Sequence, residues 1–206
     1  FGGRRQIARW QKRVVFRVDR ERRHGNRFQP GFGRGASPVV VSAGNAVVNR
    51  VVATELTISN GGVLTTFDPT ASQVHKLEVE VSGTLTIDAS SRIDVNSKGY
   101  LARRTTGNTT VGGAKGDASG SYGGQAPPDA GGNPSNQAYG DYREPADWGS
   151  GGGNGGPGGG WVRVVAGHLV NNGAVTANAE VVRQGIKLVG RGSGGSISVH
   201  VGVLEG

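Results

Sequence analysis

The chain has 206 residues and a net charge of +8, with 39 glycines and neither cysteine nor methionine. Without cysteine, disulfides and thiolate chemistry are excluded. An apolar share of 34% is too small to fill a compact globule and favours an architecture with a thin core. The positive charge is local: residues 1–35 hold ten arginines and Lys12 against Asp19 and Glu21, and the rest is close to neutral.

No apolar run approaches the length of a membrane span, and no signal peptide is visible. With no methionine even at position 1, the chain is expected to be a processed product or an internal piece of a longer one.

The N-terminal arm, residues 1–35, places Ile7, Trp10 and Val14 at helical spacing among basic residues. Arg4, Arg5, Arg9, Lys12, Arg13, Arg17, Arg20, Arg22 and Arg23 are its candidate contacts for nucleic acid or another polyanion. The arm is expected to be disordered or a short helix, and the alternative to polyanion binding is a disordered or mistranslated terminus with no partner.

Residues 36–104 read as strands. In "LEVEVSGTLTIDASSRIDV", Leu77, Val79, Val81, Leu85, Ile87, Ile93 and Val95 alternate with polar residues and are predicted to point inward. No run at helical spacing follows residue 35. A Gly-x-Leu step after an alternating run recurs at Gly62, Gly83, Gly167 and Gly202. The first interval, 21 residues, falls in the range of stacked repeats, so the four steps are predicted to sit one above another with mostly parallel pairing. Residues 36–206 contain one phenylalanine, Phe67, which suits a narrow aliphatic interior. A β-sandwich also alternates, but it usually wants a bulkier core and more even turns. The fold class is therefore mainly β, and within it a β-solenoid.

Residues 105–160 form a Gly-rich excursion. Ordering so much glycine is costly in entropy, and its few aromatics bury too little to offset it. Either its backbone amides are extensively paired or much of it is mobile. Tyr122, Tyr139, Tyr142 and Trp148 are the candidate ligand contacts, being amphipathic rings on loops. Strands return over 161–206.

Other motifs are weak. "GSGGGNGGPGGGW" lacks the Gly-Lys-Ser/Thr and the following helix that a phosphate loop needs. "GGAKGD", residues 112–117, matches part of a calcium-binding nonapeptide. However, Lys115 stands where glycine belongs and Ser119 where a large aliphatic belongs, and there is one copy. No metal or cofactor is expected. Asp88 and Asp94, with Arg92 between them, flank a turn, where local hydrogen bonding is the simpler role than paired acid–base catalysis. His75, His168 and His200 each stand alone, as solvated surface histidines do, and Asn108-Thr109-Thr110 is a formal glycosylation sequon.

"SGTLTIDASSRIDVNSKGY", "GGGWVRVVAGHLVNNGAVTANA" and "GSGGSISVHVGVLEG" together resemble the Gly-rich repeats of large bacterial surface and secreted, adhesin-like proteins. The resemblance covers about residues 50–206 and rests on pattern. It departs at 180–191, and the arm lies outside it. It implies a right-handed parallel β-helix with Gly-rich stretches leaving between coils, and an extracellular or cell-surface location. The expected function is structural or adhesive and non-catalytic, with a surface glycan or protein as partner. The alternatives are a polysaccharide lyase or hydrolase on such a helix, and a polyanion-binding module acting through the arm.

Overall fold

The computed structural model describes residues 37–184 and 187–206. The described residues are mainly β, with a single short 3-10 turn at Thr106–Asn108 and no other helix.

The chain passes repeatedly from one parallel sheet to another. The passages are β1 (Val39–Ser42) to β2 (Asn45–Val47), then β3 (Arg50–Ala53) and β4 (Leu56–Ser59) to β5 (Val63–Thr65). They continue with β6 (Lys76–Ile87) to β7 (Arg92–Asp94) and β8 (Trp161–Asn171) to β9 (Ala174–Thr176). A small antiparallel ribbon, β10 (Val182–Gln184) with β11 (Lys187–Val189), precedes the last strand, β12 (Ser196–Glu205). The first sheet runs β1-β4-β6-β8-β12, with β3 also on β6, and the second runs β2-β5-β7-β9. Every pairing within these two sheets is parallel.

Register stacks like on like. Leu56, Leu85, Leu169 and Leu204 are successive partners in the first sheet. Ala46, Leu64, Ile93 and Val175 are successive partners in the second. The seven residues predicted to face inward, Leu77 through Val95, are all at most 1% exposed. They join Leu56, Ile58, Leu64, Val162 and Val164 in one aliphatic core. Branched side chains with few rotamers fill the narrow space between the sheets.

One expectation is corrected. Gly83, Gly167 and Gly202 do stack at neighbouring strands, where Ser82 and Gly83 stand opposite Gly167 at a shift in register. Gly62-Val63-Leu64 does not join them. Its Leu64 pairs with Ala46 and Ile93 in the second sheet. The true steps run from Leu56 to Leu85 and from Val63 to Arg92. Gly83 marks a register shift inside the long strand β6, whereas Gly62 marks the passage from one sheet to the other, so one local pattern serves two different irregularities.

The Gly-rich excursion leaves the sheets after β7 and is held by backbone pairing outside any ladder. Gly99 N donates to Gly158 O at 2.8 Å, Tyr100 N to Gly149 O at 2.9 Å and Arg103 N to Gly152 O at 2.9 Å. Gly153 N reaches Ala118 O and Gly159 N reaches Ser193 O, each at 2.9 Å. Of the two outcomes the composition leaves open, paired amides prevail. Neighbouring backbones approach so closely that a Cβ on Gly152 would lie 1.8 Å from Gly190 O. Glycine is required here for close approach more than for unusual dihedrals.

Candidate functional site

The four aromatics of the excursion divide three to one. The Trp148 indole donates through Nε1 to His75 O at 3.0 Å, just ahead of β6. Its ring meets Trp161 edge-on at 5.2 Å and lies tilted 5.9 Å from Tyr100. Tyr100 is buried and donates to Asp147 Oδ1 at 2.8 Å, and burial beside that carboxylate pushes its phenol well above the usual range. Tyr139 packs on Tyr122 at 5.1 Å and donates to Trp148 O, and burial raises its phenol likewise. The Tyr122 hydroxyl meets that of Ser196, which is buried and also donates to Asp147 O.

Trp148 ties the excursion to His75 and β8, Tyr122 ties it to β12, and Tyr139 braces the two from within the excursion. Tyr122, Tyr139 and Trp148 are thus half-buried clamps, and they are not displayed on loops as expected. The reason is chemical: each polar tip has a partner inside, so the ring can be buried without leaving a donor unpaired. Tyr142 alone is on display, 81% exposed, with the Arg143 guanidinium 5.4 Å from its ring.

The clamps suspend residues 143–146 over the outward face of the first sheet. There, Trp161 and Arg163 alternate with the buried Val162 and Val164 on β8, and Ser198 and His200 project from β12. Together these segments enclose a cleft of about 270 Å³. Ser198 Oγ and His200 Nε2 are 2.9 Å apart, and Lys76 Nζ sits 4.6 Å from the Trp161 ring while pairing with Glu78 at 2.7 Å. The side chains of Arg163 and Glu144 make no hydrogen bond or ion pair among the described residues. Sequence reasoning missed this cleft. The signal that would have found half of it is period two in "WVRVV" and "SISVHV", which sets Trp161 and Arg163 opposite the core.

Asp88 and Asp94 serve their turns. Asp88 accepts from Asn60 N at 2.7 Å and from Ser90 N and Oγ at 2.9 and 2.8 Å. The neighbouring Ser91 side chain, which falls short of a formed hydrogen bond, and then the bonded Asn60 amide and Ser90 hold its carboxyl down at about 2. Asp94 pairs with Arg92 Nε at 2.9 Å and accepts from Asn96 N at 2.9 Å. In the 112–117 segment, Asp117 N donates to Asp129, whose carboxylate also gathers the amides of Gly131 and Asn133. Asp129 is held at about 2, first by the Asn133 side chain. Among the described residues no group of three His, Asp or Glu is placed to hold a metal ion.

These depressed carboxyls set a pH dependence. Each contributes stability fully above its unfolded value, roughly 3.9, and loses it as pH falls through the folded value. Thermal midpoints should therefore drop between about pH 4 and pH 2. Asp88→Asn should flatten that drop while leaving the part due to Asp129, as melting curves across this range would report.

The polyanion candidates Arg4, Arg5, Arg9, Lys12, Arg13, Arg17, Arg20, Arg22 and Arg23 lie outside the described residues. No described helix is long and apolar enough to cross a membrane. Comparison with protein-family models, curated proteins and solved structures gives no match.

Proposed function

We propose that the chain is a β-solenoid segment, of the right-handed parallel β-helix kind, from a bacterial secreted or cell-surface protein. In this reading it is a non-catalytic rod that carries an excursion for adhesion to a surface glycan or protein. The observation that carries the reading is the shared order of the two parallel sheets, with β4, β6 and β8 stacked in one and β5, β7 and β9 in the other. A chain that repeats the same passage in the same order extends along one axis, with each passage covering the apolar face of the last.

The excursion is attached by backbone pairing and aromatic clamps outside the aliphatic core, so its outer face is available for display. Among the described residues that line the cleft Glu144 is the one carboxylate, which argues against a hydrolase, because glycoside hydrolysis generally needs two across the scissile bond. Asp88 and Asp94 are already engaged with their own turns.

The test is to couple the chain to beads and measure retention on polysaccharide-coated surfaces, while assaying the same polysaccharides for new reducing ends or unsaturated products. Retention without products is expected, reduced by Tyr142→Ala with the β spectrum unchanged. Products that vanish in Glu144→Gln would establish the enzyme reading instead.

A further inference from the structure

We propose that the cleft between residues 143–146 and the outward face of β8 and β12 binds a single uronate-type ring, a carboxylate-bearing pyranose within an acidic polysaccharide. The proposal deepens the adhesive reading and rests on it.

The volume, about 270 Å³, lies just below the roughly 300–1,000 Å³ of small-ligand clefts and suits one ring rather than a chain segment. Its walls are mixed in the way a sugar requires. Trp161, Pro145 and Ala146 offer apolar surface to C–H groups, and Ser198, His200 and Glu144 offer partners to hydroxyls.

The charge selects among sugars. Arg143 and Arg163 face one carboxylate, Glu144, so the cleft favours an anion. Arg163 is the principal donor. It is half-buried on β8 opposite Glu78, yet Glu78 is paired with Lys76 at 2.7 Å and leaves the guanidinium without an ion pair among the described residues. A half-exposed guanidinium whose N–H groups meet only water is free to take a planar anion, and a carboxylate matches its fork in two parallel bonds. Beside it, Trp161 contributes ring surface to the same wall, which suits a sugar's C–H face. Glu144 decides between anions. It repels a doubly charged phosphate more than a singly charged carboxylate, and its acceptors need the hydroxyl donors a sugar provides.

The experiment titrates the full chain with trigalacturonate and with maltotriose at about 0.15 M salt, where exposed charges beyond roughly 8 Å are screened. Trp fluorescence and calorimetry are the readouts. Trigalacturonate is expected to bind at least about tenfold more tightly than maltotriose, Arg163→Gln to remove that preference, and Arg163→Lys to restore it in part. Arg92→Gln, outside the cleft, controls for loss of charge alone and should leave the preference intact. Glu144→Gln keeps the test alive if Arg163→Gln misfolds, and should extend binding to inorganic phosphate. No binding of either probe, equal binding, or a preference that survives Arg163→Gln overturns the proposal, the last because it would place the anion site elsewhere. Cleavage of trigalacturonate would instead overturn the non-catalytic reading.

Discussion

Replacing Gly159 with alanine is expected to loosen the whole glycine-rich body from the sheets. The new Cβ would lie 1.9 Å from Ala177 O and 2.5 Å from Gly195 N, both backbone atoms that no rotamer change can move aside. Accommodation needs the segments themselves to part. That breaks the bonds from Gly159 N to Ser193 O and from Gly149 N to Gly159 O, each 2.9 Å, which hold three segments together. The cost should exceed the ~1–3 kcal/mol usual for an extra methyl in a packed interior. For a chain of this size it should lower the melting temperature by roughly 6 °C or more. Gly124 is the control, because a Cβ there meets nothing within 4 Å and its backbone needs no left-handed dihedral. Gly124→Ala should be neutral or slightly stabilising, since it reduces the freedom of the unfolded chain. Thermal melts combined with limited proteolysis around residue 148 would separate the two variants. Equal melts would mean that the glycine backbones are not packed on one another.

What could be read from the chain alone follows the range of the physics involved. The inward set Leu77 to Val95 was legible because alternation is local: one face meets the core, the next meets water, and each residue reports its own side. The misplaced step at Gly62 was not legible, because parallel register depends on a strand some thirty residues away. The dipeptide at Gly62 is locally the same as the one at Gly83, yet Leu64 meets Ile93 where Leu85 meets Leu56. In the excursion, composition posed the right choice between paired and mobile backbone, but the pairing of Gly153 with Ala118 or Gly159 with Ser193 carries no side-chain signal at all. The aromatics were the right residues in the wrong role. A tyrosine on a glycine-rich loop reads as displayed until a partner such as Ser196 is brought to its hydroxyl by another strand. The cleft was invisible for the same reason, since Arg163 and His200 become neighbours only through the pairing of β8 with β12.

The other large effect is expected at Leu85. Leu85→Ala removes a side chain at 0% exposure that lies in register between Leu56, also at 0%, and Leu169 at 3%. Buried leucine truncations cost about 2–5 kcal/mol, with the higher values where the surroundings cannot collapse into the space. Collapse is restricted here, because Leu56 and Leu169 are each fixed by parallel backbone ladders on β4 and β8. The melting temperature should fall by roughly 10 °C. Leu204 continues the same ladder beyond Leu169, but β12 is an edge strand and leaves it 65% exposed. Leu204→Ala should therefore cost less than about 1 kcal/mol, as surface truncations do. The two variants make the same chemical change at two points of one ladder, so their difference isolates what stacking contributes. If Leu204→Ala proves as costly as Leu85→Ala, β12 is covered in solution and its face is not an edge. If both are mild, the leucines do not form the supporting ladder, and the core must be carried by Val79, Val81 and their partners on β8.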